Sequence, residues 1–321
     1  MNVRRHHISG LALAAVTALG IGTLSACSSD SAAAGNTDKF DVVASFYPMA
    51  FLAEQIGGDH VNVSSLTEPG QEPHDLEISA QQRAQLEDSD AALYLKGLQP
   101  SVDEAIGQAG LDTKIDAASL TKLEDHGDVE HEHAGEHAEE EHSEEEGHAL
   151  DPHVWLDPVK YAEIAKGVGT AFEKADPDHA ADYKKNTAAL VKKLDALNTQ
   201  VADGLKNTGT KVFFTNHASF GYFAERYGLT QEAISGVDPD SEPSPARIKE
   251  LQQEAKADGV TTVFYETLVS DKTAKTLADD AGLKTDVLDP LEGITDKSKG
   301  DDYFQVMEAN LKALQTALGA K

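Results

Sequence analysis

The sequence predicts an α/β fold of two lobes, each with a mainly parallel sheet flanked by helices, joined by one long connecting helix. Three observations predict it. Short β-rich runs alternate with helical stretches from Phe40 onward, and helices of that length between strands imply parallel pairing through βαβ units. The same alternation recurs from Lys211 to the end of the chain. Between the two lies a single apolar stripe at helical spacing, suited to a connector.

The first residues set a compartment before any fold begins. Arg4 and Arg5 precede a nearly apolar run from Leu11 to Thr23, followed by Leu24-Ser25-Ala26-Cys27. A basic start, an apolar stretch too short to span a bilayer comfortably and small residues at the break predict a signal peptide over residues 1–26. The Leu-Ser-Ala-Cys tetrad resembles the lipobox of bacterial lipoproteins. That resemblance implies cleavage before Cys27 and acylation of its sulfur and new amine. Cys27 is the only cysteine in 321 residues, so no internal disulfide can form. Residues 27–38 then read as the lipidated cysteine and a small, polar, flexible tether.

Residues 39–175 form the expected first lobe. Strands are predicted at Val42–Phe46, Val61–Leu66 and Ala91–Leu95, with a shorter run around Lys114–Ala117. Helices are predicted over Pro48–Ile56, closed by Gly57-Gly58, then from Ser79 to Leu86, over Ser101–Ala109 and from Asp157 to about Lys174. Residues 124–148 interrupt this rhythm. Glu124 to Gly147 holds twelve Asp/Glu, no Lys or Arg, and five His, with His148 just beyond. No apolar residue recurs at helix or strand spacing, which predicts a mobile, low-complexity loop.

From Asp176 to about Asn207, Tyr183, Leu190, Leu194, Leu197, Val201 and Leu205 fall on one helical face. They predict a connecting helix over residues 176–208, roughly 45 Å long at 1.5 Å per residue. Two packed helices with a turn near Asn198 are the alternative. Residues 209–321 form the second lobe, with strands at Lys211–Thr215, Gln231–Ile234, Val260–Tyr265 and Thr285–Leu288. Its helices are predicted at Phe220–Tyr227, Ser244–Ala257, Asp271–Ala281 and Asp301–Leu318. Ser244-Pro245 is a Ser cap with Pro at the first helical position.

Charge narrows the partners. The formal net charge is −29, and without residues 1–26 it becomes −31, from 25 basic against 56 acidic residues. Such a surface repels nucleic-acid phosphates and anionic headgroups and attracts cations. The lipid is then the only evident membrane attachment.

The chemistry-bearing residues collect at the carboxyl ends of strands, where α/β folds bind ligands. His74 lies beyond the second strand, His153 before the helix at Asp157, His217 just after Thr215, and Asp289 just after Leu288. Three imidazoles and a carboxylate or water make a preferred tetrahedral shell for Zn²⁺. The metal site is therefore expected in the inter-lobe cleft. Pro73 and Pro152 stiffen the backbone before two of these His.

Several blocks also resemble a known family. Ser45-Phe46-Tyr47-Pro48, Pro69-Gly70 through Pro73-His74, Asp151-Pro152-His153-Val154-Trp155-Leu156-Asp157-Pro158, His217-Ala218-Ser219-Phe220-Gly221-Tyr222 and Pro243-Ser244-Pro245 are similar to the signature blocks of the zinc/manganese solute-binding protein family of ABC importers. The Asp-Pro-His-Val-Trp-Leu-Asp-Pro block is the most specific. The resemblance implies two His from the first lobe (His74 and His153), a third from the second (His217), and often an Asp (Asp289), whose place a water could take. A third imidazole where manganese-binding relatives carry a carboxylate favours Zn²⁺ over the harder Mn²⁺.

The function implied is that of an extracytoplasmic zinc-binding component of an ABC-type zinc importer. It would act as a monomer, lipid-anchored on the outer face of the cytoplasmic membrane (periplasmic in a host with an outer membrane). Captured Zn²⁺ would pass to a permease and its ATPase. In the insert, His126, His131, His133, His137, His142 and His148 are candidates for weaker capture of extra zinc, against the alternative of a solvated acidic loop. A manganese-binding importer component, or a surface adhesin or zinc buffer without a transporter, are the rival functions. With no His-Glu-x-x-His and no evident general base, an enzyme is not expected.

Overall fold

The structure, a computed structural model, describes residues 39–126 and 150–321. Strands β1 (Phe40–Ala44), β2 (Val61–Ser65), β3 (Ala91–Tyr94) and β4 (Thr113–Asp116) form a parallel sheet in the order β2-β1-β3-β4. Strands β5 (Val212–Thr215), β6 (Thr230–Ala233), β7 (Thr262–Tyr265) and β8 (Lys284–Val287) repeat it as β6-β5-β7-β8. Each order reverses direction once, between β1 and β3 and between β5 and β7. Those are the points where doubly wound sheets open a crevice for ligands.

The connecting helices are α1 (Tyr47–Gly57), α2 (Ala80–Glu87), α3 (Pro100–Gln108), α4 (Pro158–Ala175), α5 (Ala180–Gly204), α6 (Gly221–Tyr227), α7 (Pro245–Ala257), α8 (Lys272–Ala281) and α9 (Tyr303–Ala317). Their starts follow local chemistry. Ser79 and Gln82 make a reciprocal capping box at α2, and Ser244 accepts the Arg247 N–H ahead of Pro245 at α7. Asp157 accepts the Val159 N–H at the start of α4, with Pro158 as the first helical residue. Gly228 and Gly282 end α6 and α8 in the left-handed conformation.

The mid-chain helix is shorter than the pattern predicts. Pro177–His179 form a separate 3-10 turn, and α5 runs for 25 residues, about 38 Å. The Asp176 carboxylate sets this boundary, accepting the Tyr183 hydroxyl at 2.6 Å and lying 2.7 Å from His179 Nδ1. There is no turn near Asn198, whose Oδ1 instead accepts the Tyr227 hydroxyl at 3.0 Å. All six residues of the predicted stripe are buried. They pack α5 against α1, α4 and α9, so it is a packed spine and not a free-standing rod.

Alternation along the strands distributes side chains between faces. Val42, Ala44, Ala91 and Leu93 point into one core while Val43 and Ala92 point to a smaller one. In the second sheet Phe213 and Phe264 join the first of these cores, and Phe214 and Val263 face a third. Both sheets therefore turn one face into a single apolar cluster threaded by α5. Among the described residues no helix is long and apolar enough to cross a membrane.

Candidate metal centre

Each of four loops is shaped by a side chain that fixes its own backbone. After β2, the Glu72 carboxylate accepts the His74 N–H at 3.0 Å and the Asp75 N–H at 3.2 Å, which turns His74 toward the second sheet. Ahead of α4, Asp151 Oδ1 accepts the His153 N–H at 2.9 Å and lies 2.8 Å from its Nδ1. One carboxylate thus fixes both the backbone and the ring. Two residues past β5, the His217 carbonyl accepts the Thr215 hydroxyl and the Gln231 amide, while Nδ1 lies 2.7 Å from Glu266 Oε1. Glu266 is the first residue after β7, the strand beside β5, so the sheet itself places this pair.

The fourth loop follows β8. Asp289 Oδ1 accepts the Leu291 N–H at 2.9 Å, and Asn310 on α9 brackets the Asp289 backbone, donating to its carbonyl and accepting its N–H. Leu291 is held at φ 59°, a left-handed conformation that costs a branched side chain on the order of 1–3 kcal/mol. That turn swings the next residue, Glu292, back into the cleft.

The donors meet there. Glu292 Oε1 lies 3.4 Å from His74 Nε2, 3.4 Å from His153 Nε2 and 3.3 Å from His217 Nε2. His153 Nε2 and His217 Nε2 are 3.4 Å apart. A tetrahedral ion bound at about 2.0–2.1 Å has donors about 3.3–3.4 Å from one another. These spacings match the edges of that tetrahedron. His153, His217 and Glu292 are almost fully buried, and only His74 reaches the surface, with 11% of its side chain exposed. The second Glu292 oxygen, Oε2, is buried without a hydrogen-bond partner, an unsatisfied acceptor in a cleft that a cation would complete.

Electrostatics run the same way. Burial alone would lower the His217 pKa, but the carboxylates of Glu266 and Glu292 outweigh it and raise it well above the ordinary value. His153 is likewise raised, by Asp151 and Glu292 against its own burial. Burial pushes Glu292 up, and the three imidazoles overcome that and hold it well below the usual carboxylate range. The carboxylates around the cluster therefore favour positive charge at its centre.

Of the residues proposed from sequence, the structure brings His74, His153 and His217 together. Asp289 is not in the group of converging donors, which has Glu292 in its place. The reason is local. One Asp289 oxygen holds the Leu291 N–H and the other lies 3.4 Å from the Thr267 hydroxyl, so it shapes the loop that aims Glu292. His126 lies apart from this centre, in a separate group with Glu124 and Glu225. Glu124 to His126, expected within the mobile loop, instead pack against α6. There the Glu124 N–H donates to the Tyr222 hydroxyl at 2.7 Å and its carbonyl accepts the Asp151 N–H. His131, His133, His137, His142, His148 and Cys27 lie outside the described residues.

Sequence reasoning missed three carboxylates. Asp151 stands two residues before His153, and Glu266 occupies the strand-end position that singled out the other candidates. Glu292 lies three residues beyond Asp289, the candidate proposed from this strand end.

Comparison with known proteins agrees with this geometry. Residues 42–317 match the family model described as "ZnuA: Zinc-uptake complex component A periplasmic". The chain is 36% identical over 319 residues to the high-affinity zinc uptake system protein ZnuA of Bacillus subtilis, covering 98% of each. It is 39% identical over 298 residues to the zinc-binding lipoprotein AdcA of Streptococcus pneumoniae, covering 91% of this chain but 58% of that one. The crystal structure of the Zn(II)-bound ZnuA-like domain of S. pneumoniae AdcA superimposes with a TM-score of 0.71 at 35% identity, covering 87% of this chain and 99% of that domain. The chain spans about three fifths of the longer AdcA relative and nearly the whole of the B. subtilis one. With three imidazoles and a glutamate converging at zinc spacing between two parallel sheets, the chain belongs to the ZnuA family of zinc-uptake binding proteins.

Proposed function

We propose that this chain captures Zn²⁺ outside the cytoplasm, through His74, His153, His217 and Glu292, and delivers it to the permease of an ABC importer and its ATPase. The observation that carries the reading is the convergence of three Nε2 atoms on Glu292 Oε1 at 3.3–3.4 Å. Three nitrogens and one oxygen suit borderline Zn²⁺ better than Mn²⁺, which prefers more oxygen ligands. With four protein donors the shell is closed, which suits transport rather than hydrolysis, where an open position holds water. The Leu24-Ser25-Ala26-Cys27 tetrad supports lipid anchoring at Cys27, in keeping with the S. pneumoniae relative named a lipoprotein.

Growth tests the delivery step. A strain lacking the gene is expected to grow poorly in zinc-depleted medium and to recover with added zinc or with the intact gene. The His153→Ala gene is expected not to restore it. Normal growth of the deletion strain without zinc, or rescue by manganese alone, would contradict the reading.

A further inference from the structure

His126 is not among the four converging donors, yet the fold gives its ring a made-to-fit position. The ring lies over Gly221, the first residue of α6, where a Cβ would come within 2.5 Å of His126 Cβ and 2.6 Å of its Cγ. Only glycine leaves that room. The Tyr222 ring meets the imidazole edge-on at a centroid distance of 4.4 Å and an interplanar angle of 82°.

Asp151 joins this ring to the first centre. Its Oδ1 lies 2.8 Å from His153 Nδ1 and its Oδ2 lies 3.0 Å from His126 Nδ1. A buried carboxylate on Nδ1–H fixes the tautomer and leaves Nε2 as the ligand nitrogen, the usual support of a metal-bound imidazole. Asp151 supplies that support twice. The His153 Nε2 faces the converging donors, and the His126 Nε2 faces the other way, 3.1 Å from Glu225 Oε2. Donor atoms of Glu124, His126 and Glu225 all lie within 4.8 Å of one another.

We propose that Glu124, His126 and Glu225 form a second divalent-cation site, taking Zn²⁺ and coupled to the first through the shared Asp151. The inference is independent of delivery to an importer. The second site is the weaker and more open of the two. It has one imidazole and two carboxylates, water must complete its shell, and 60% of the Glu225 side chain is exposed. Lys160, 3.2 Å from Glu124 Oε1, also competes with the cation for that carboxylate. The harder donor set discriminates less among divalent ions than three imidazoles do.

The test is a calorimetric Zn²⁺ titration of the full chain with His131, His133, His137, His142 and His148 changed to Asn, which removes the neighbouring imidazoles. Two equivalents are expected, a tight one and a weaker one. Glu225→Gln, at an exposed position where folding is not at stake, is expected to weaken the second by about tenfold or more and leave the first unchanged. Asp151→Asn is expected to weaken both. A single equivalent, or a second one indifferent to both Glu225→Gln and His126→Ala, overturns the site. An Asp151→Asn chain that loses only first-site affinity overturns the coupling. Loss of the tight equivalent in the parent chain would instead count against the first site, so the two failures are distinguishable.

Discussion

Glu292 and Asp289 stand three residues apart and have different tasks. Glu292 faces three imidazoles, whereas Asp289 holds the Leu291 N–H. Glu292→Gln removes the only charged donor and is expected to lower zinc affinity about 100-fold or more. Asp289→Asn keeps a carbonyl acceptor for the turn and is expected to cost less than about tenfold. A chelator-competition titration checks both, and the reverse ranking would make Asp289 the ligand. Zinc binding is also expected to displace protons from His153 and His217, whose pKa values are raised. Below those raised values the rings hold protons and exclude the metal. The same protonation stabilises the metal-free fold at low pH, and that contribution is lost as pH rises through the raised values. The zinc-induced rise in melting temperature is therefore expected to shrink as pH falls, starting above the ordinary histidine value of about 6.5. A pH-independent shift would contradict protonated imidazoles. His74, His153 and His217 were legible in the sequence because each follows a strand end or precedes a helix. Glu292 was not, because its aim depends on a positive φ at Leu291 and on Asn310 from a distant helix, neither of which the local pattern encodes.

At the level of elements, strands and helices were readable from alternation, caps and apolar spacing, with ends displaced by a residue or two. The larger displacements are at the two ends of α5, and the one at its start has a tertiary cause: Asp176 gathers Tyr183 and His179 and closes a separate turn. What the sequence pattern could not reveal was how α4 and α6 are clamped. Arg226 on α6 grips the Asp157 carboxylate, the cap of α4, with Nε at 2.9 Å and Nη2 at 2.6 Å from the same oxygen. Asp157 is almost fully buried while Arg226 is about one-third exposed. Arg226→Ala would leave a buried carboxylate without its cation. Solvent reaching the Arg side moderates the loss, expected at about 2 kcal/mol in denaturant unfolding. An unchanged midpoint would show that the clamp contributes nothing.

Across the whole molecule, the two sheets share one apolar cluster through α5, and the described residues all belong to one compact unit. Trp155 from the first half donates to the Pro290 carbonyl of the second at 2.7 Å, and Tyr303 donates to the Trp155 carbonyl. A close-packed core of this kind resists continuous deformation. Metal-free unfolding is therefore expected as a single cooperative transition, and Leu194→Ala in the shared core is expected to lower it as a whole by about 2–5 kcal/mol. Two separated calorimetric transitions would mean the lobes are independent. The central claim, that this cleft is a zinc site of three imidazoles and Glu292, is tested most directly by a chelator-competition titration with Zn²⁺ and Mn²⁺ on the intact chain. One tight Zn²⁺ equivalent is expected, lost in His153→Ala and sharply weakened in Glu292→Gln, with Mn²⁺ bound far more weakly. Tighter binding of Mn²⁺ than of Zn²⁺, or a tight Zn²⁺ equivalent that survives both substitutions, would contradict it.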